Sequence, residues 1–157
     1  MQDSTNWTDN PALGWKQRGK IYFWRYTENS RNFPGWHFVV DSAASESLAS
    51  LVASLIKAQE PIHRTLQVSR PTKDVLCIPN NKDGLARFSA PTRLVIYFDP
   101  TDADSWTLDC VSDVLEWRLG SSSMTELESA LASPNSFFDR QFGEDKPLWF
   151  WGLAIER

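Results

Sequence analysis

A chain of 157 residues, 41% apolar and 23% charged, can form one domain that buries about 68–70% of its unfolded surface, which excludes disordered, collagen-like and coiled-coil classes. The formal charge of −4 is unevenly spread: residues 1–98 hold 12 Lys/Arg against 8 Asp/Glu, and residues 99–157 hold 4 against 12. The longest apolar run, Leu148 to Ile155, is too short for a membrane-spanning helix.

Residues 1–18 are polar, with Trp7 and Trp15 isolated among Asn, Asp, Thr and Gln, and are expected to be irregular. They lack the basic start and apolar stretch of a signal peptide, so a cytoplasmic location is expected. Gly19 to Thr27 alternates as a strand, with Tyr22, Trp24 and Tyr26 on one face and Ile21, Phe23 and Arg25 on the other. Pro34-Gly35 suits a type II turn. A second strand, Trp36 to Asp41, then returns antiparallel, with Trp36, Phe38 and Val40 together and His37, Val39 and Asp41 opposite.

Asp41-Ser42 caps a helix to about Ala58, whose Leu48, Leu51, Val52, Leu55 and Ile56 form one apolar stripe. Ile62 to Ser69 is a strand and Val75 to Ile78 a short one. Leu85 to Ser89 pairs back across the turn-rich segment 79–84. Thr92 to Asp99 is apolar on both sides, which predicts a central strand covered on both faces. Trp106 to Val111 and Val114 to Leu119 form a hairpin around Ser112-Asp113. That register sets Trp106 against Leu119, Leu108 against Trp117 and Cys110 against Leu115. Ser123-Met-Thr-Glu126 matches a capping box that opens a second helix to about Ala132. A long loop through Pro134, Gly143 and Pro147, with a helical turn at Phe137 to Phe142, leads to a last strand, Leu148 to Ile155. The expectation is a single α+β domain over 1–157, with a mainly antiparallel, twisted sheet of six to eight strands and two helices.

Eight tryptophans stand in the chain, six of them (Trp24, Trp36, Trp106, Trp117, Trp149 and Trp151) in or beside extended segments. Such rings supply large apolar area for a sheet core, or flat platforms for a ligand. Cys77 and Cys110 lie among apolar residues and read as reduced, buried thiols. With only His37 and His63 beside them, no zinc-ligand spacing exists and no metal is expected. Phosphate-binding glycine loops and nucleophile elbows are missing, so no cofactor and no catalytic residue is assigned.

Asp99 to Glu116 carries six carboxylates without a basic residue. Such a field repels phosphate, which argues against direct nucleic-acid binding, and attracts a basic partner unless it is only a solvated face. The hairpin register also places Asp109 opposite Glu116, a like-charge pair that needs a neighbour, a partner or a catalytic use. The leading expectation is therefore a protein-binding module that occludes a basic partner through Asp102, Asp104, Trp106, Asp109 and Glu116. Size, acidity and the lack of catalytic motifs are also those of inhibitor and immunity proteins, a likeness of class carried by no motif. A second expectation is an aromatic pocket for a small ligand such as a sugar, using Trp24, Arg25, Trp36 and His37. A third is a hydrolase working with the paired carboxylates.

Overall fold

The computed structural model describes residues 11–132 and 148–151. Among them eight strands form two sheets of four, with three helices, an α+β fold as expected. The strands are β1 (Ile21–Tyr26), β2 (Trp36–Val40), β3 (Ile62–Gln67), β4 (Phe88–Ser89), β5 (Arg93–Asp99), β6 (Trp106–Val111), β7 (Val114–Gly120) and β8 (Leu148–Phe150). The helices are α1 (Ser42–Ile56), α2 (Lys73–Leu76) and α3 (Ser121–Ala132). The single expected sheet is divided in two, ordered β4-β1-β2-β8 and β3-β5-β7-β6. Four of the pairings are antiparallel, while β2 with β8 and β5 with β7 are parallel.

Local chemistry accounts for most of these elements. Residues 27–35 connect β1 to β2, which pair antiparallel, and just before β2 Gly35 has φ of 78°, a left-handed backbone that glycine adopts without strain. Asp41 caps α1: its Oδ1 accepts from the Ala44 N–H at 2.8 Å, and its Oδ2 accepts from the Lys20 N–H at 3.0 Å. The apolar stripe of α1 buries Leu48, Leu51, Val52 and Leu55, each stabilising by roughly 1.5–3 kcal/mol relative to exposure. The hairpin of β6 and β7 has the expected register throughout, with Ser112 at φ of 55° in its turn.

Three expectations give way. Val75 to Ile78 is not a strand: Thr72 caps the single turn of α2 by accepting from the Val75 N–H, and Val75 and Leu76 pack beneath the first sheet. With no strand there to join, Phe88–Ser89 pairs with β1, where Glu28 Oε1 accepts from the Arg87 N–H at 2.9 Å. Helix α3 begins at Ser121 rather than at the capping box, because β7 runs straight into it. β5 is central in its sheet as expected, yet its Val95 and Tyr97 face is only half-buried. The 1–18 segment is described from residue 11, where Pro11–Gly14 forms a 3-10 turn. The loop and helical turn expected within 133–147, and the strand expected beyond Trp151, fall outside the described residues.

The main core lies between the inner faces of the two sheets and helices α1 and α3. At its centre Trp117, fully buried on β7, meets Phe23, Phe38 and Trp106 edge-on, with ring centroids 5.8, 6.1 and 5.7 Å away. A smaller cluster covers the other face of the first sheet, where Tyr22, Trp24, Tyr26 and Val39 pack on Val75, Leu76 and Ala86.

Two substitutions test this arrangement. Trp117→Ala removes the shared ring and is expected to cost about 3–5 kcal/mol in urea unfolding; a loss below about 1 kcal/mol would contradict an inter-sheet role. A Cβ at Gly120 would overlap the Asp102 carbonyl oxygen and stand 2.8 Å from the Ala103 backbone. Gly120→Ala is accordingly expected to lower stability by about 1–3 kcal/mol, since the obstacle is backbone.

Candidate functional site

Strand alternation sorts the expected ligand residues onto opposite faces of the first sheet. Trp24 and His37 turn toward the smaller cluster, whereas Arg25 and Trp36 turn toward the second sheet. The four therefore do not line one pocket. The expected partner contacts divide, the four carboxylates from Trp106. Asp102 and Asp104 are exposed in the loop before β6, and Asp109 and Glu116 sit across from each other on the outer face of the second sheet. Trp106 points the other way, half-buried against Trp117, so it packs in the core as much as it faces outward.

His37 has the most perturbed environment. Its ring is 1% exposed, stacked 5.4 Å from Trp24 and 6.2 Å from Trp151, with Tyr26 edge-on at 5.1 Å. The Trp151 indole N–H donates to Nδ1 at 3.1 Å. That bond leaves the proton of the neutral ring on Nε2, which finds no hydrogen bond of full geometry among the described residues. Burial disfavours the charged imidazolium and pulls the pKa down to about 4, the Phe33 backbone offsetting only part of the effect. Asp41, on the same strand face, is occupied in capping α1, so no His–Asp pair forms. The role this histidine can fill is a neutral, packed ring. Nearby, the Trp24 N–H lies close enough to the Tyr26 hydroxyl to oppose the upward shift that burial imposes on it, yet falls short of a hydrogen bond.

The outer face of the second sheet is open, and no described helix lies on it. Its middle rows read His63, Tyr97, Arg118, Thr107 and then Thr65, Val95, Glu116, Asp109 across the four strands. Arg118 stacks 4.0 Å over Tyr97 and reaches Glu116 at 3.5 Å, which partly neutralises the like-charged pair. Asp99, at the end of β5, is held below the usual carboxylate range by hydrogen bonds from the Thr101 hydroxyl and backbone N–H. His63 is exposed on β3.

An open cleft of about 750 Å³ separates the β1–β2 turn from β6. Arg25, Tyr26, Phe33, Trp36 and Cys110 line it, with Asp109 at its margin; Glu116 does not, so the two carboxylates share no enclosed site. Sequence reasoning grouped Arg25 with Trp36 but assigned Asp109 to a different site, and missed that all three line one cleft. Nothing local signals a meeting of residues more than 70 positions apart. It also missed the thiols: Cys77 is exposed and Cys110 half-buried, since Cys77 ends α2 on its outer side and Cys110 lies on an edge strand. Burial raises the Cys110 pKa, which makes it a poor nucleophile at neutral pH. Among the described residues no cluster of three His, Cys, Asp or Glu is placed to hold a metal. Comparison of the chain with family models, curated proteins and solved structures finds no match in any of them.

The buried histidine predicts a pH signature. Its folded pKa of about 4 lies below the unfolded value of 6.5, so the unfolded chain takes up the proton first. Stability is then full above pH 6.5 and falls as pH drops toward 4, by on the order of 3 kcal/mol at about 1.4 kcal/mol per pH unit. Urea unfolding at steps between pH 7 and 4.5 should show this slope, and His37→Gln should flatten it; an unchanged slope in the variant refutes the assignment.

Proposed function

We propose that the protein is a non-catalytic binding module that docks a basic partner protein on the acidic side of its second sheet. In this reading it acts in the cytoplasm as an inhibitor- or immunity-type protein that covers the partner's working surface. The observation that supports it is the distribution of charge along β6. Exposed Asp102 and Asp104 lie at one end, Asp113 at the other, and Asp109 beside Glu116 between them. Across residues 99–120 the one cation is Arg118, already engaged with Tyr97 and Glu116.

The exposed carboxylates of the loop and turn, Asp102, Asp104 and Asp113, attract a partner's Lys or Arg. Carboxylates spread over an exposed sheet also steer encounter with a basic surface, raising the association rate more than the final affinity. Trp106 cannot serve as a fully exposed anchor here, so contact area comes from Val95, Tyr97 and the exposed Val111.

The test is affinity capture from cells that express the protein naturally, followed by titration of the purified partner. A basic protein should bind, dissociate as salt rises, and lose about tenfold or more in affinity to Asp109→Lys/Glu116→Lys, chiefly through slower association. Equal retention of every captured protein by the double variant would sink the proposal.

A further inference from the structure

We propose that the cleft between the two sheets is a second, separate binding site, which takes a small monocarboxylate with an apolar body. Arg25 is the carboxylate-binding group and Trp36 its backing. The site does not depend on the docking face proposed above.

The alternation of β1 places Arg25 in the row that fills the main core, after Ile21 and Phe23, where that row leaves the core at the mouth between the sheets. Its guanidinium Cζ stands 5.0 Å from the ring centroid of Trp36, and Trp36 is itself only 5% exposed. A buried ring therefore backs the guanidinium on one side. The exposed guanidinium keeps its N–H fork for a ligand, and such a fork matches a carboxylate with two parallel hydrogen bonds. Among the described residues no carboxylate lies within ion-pair distance of Arg25. The charge is directed into the cleft: it is felt by the Cys110 thiol on the facing strand, where it opposes the upward shift from burial.

The walls define the rest of the ligand. Tyr26, Phe33, Pro34 and Leu108 give one apolar or aromatic part of the lining, beside the polar Thr27 and Ser30, and about 750 Å³ is room for a small organic molecule rather than a bare ion. A single guanidinium balances a single negative charge. Asp109 at the margin and the chain's net charge of −4 oppose a doubly charged phosphate. Monoanion, planar acid group and apolar body follow together.

Titration calorimetry with phenylacetate, phenylacetamide and phenylphosphonate tests this on the whole protein. Phenylacetate should saturate one site, with the neutral amide and the dianionic phosphonate each bound about tenfold or more weakly, the amide because it lacks the charge-assisted pair. Arg25→Gln should lose phenylacetate binding to the same degree. Arg25→Lys should recover only part of it, because a point charge lacks the fork. Glu116→Lys should leave phenylacetate affinity unchanged, which separates this cleft from the docking face. The inference is overturned if phenylacetate fails to saturate by about 10 mM, an affinity weaker than about 3 kcal/mol. It is also overturned if amide and acid bind alike, if phosphonate binds more tightly, or if Arg25→Gln binds as the wild type does.

Discussion

The packing of Trp117 against Phe23 and Phe38 is the contact on which the remaining architecture rests, because the two sheets share no strand and, apart from a backbone bond from Ser69 to Ile21 just past the end of β3, meet through side chains. Phe23 and Phe38 stack face to face at 4.3 Å across β1 and β2, and the indole of Trp117 comes down edge-on upon the pair. Edge-to-face geometry sets the positive rim of one ring on the negative face of another, so the contact has a preferred angle as well as area. That angle holds the β1–β2 turn at a distance from β6. The cleft is the space left where the two sheets diverge beyond the Trp117 contact.

Polarity is distributed around this junction by simple alternation. In β1 every second residue enters the main core until Arg25, and in β6 every second residue does so from Trp106 to Cys110. The residues between them are sent outward: Asp109 to solvent, His37 and Trp24 to the smaller aromatic cluster. The first sheet is covered on both faces and the second on one. This asymmetry lets Asp109 and Glu116 stand on the second: a covered face would have to desolvate both carboxylates, whereas an open face keeps them hydrated.

Much of the local structure is legible in the sequence. The hairpin of β6 and β7 could be read to the residue pair because its two apolar rows coincide in only one register, and α1 because its cap and stripe agree. The division into two sheets could not be read, since a strand's alternation says which residues face inward but not which sheet they face. Segment 75–78 was misread because four apolar-rich residues carry the same pattern in a strand or at the end of one helical turn, and Thr72 as a cap decides between them. For the candidate sites, residue types were legible and company was not. Grouping Arg25 and Trp36 with Trp24 and His37 ignored the opposite faces on which alternation places them.

The pairing of β2 with β8 has a consequence for the order of folding. β8 lies parallel to β2, and the Trp151 bond to His37 spans 114 positions, so the first sheet needs nearly the whole chain before its last strand can dock. Loop closure on that scale carries an entropic cost that local hairpins avoid. The β1–β2 hairpin, α1 and the β6–β7 hairpin are within reach of early, local assembly, while the edge of β2 waits open for Leu148–Phe150. During synthesis that edge, flanked by Phe38 and Val39, is the surface most exposed to wrong pairing, and the last few residues of the first sheet are what close it.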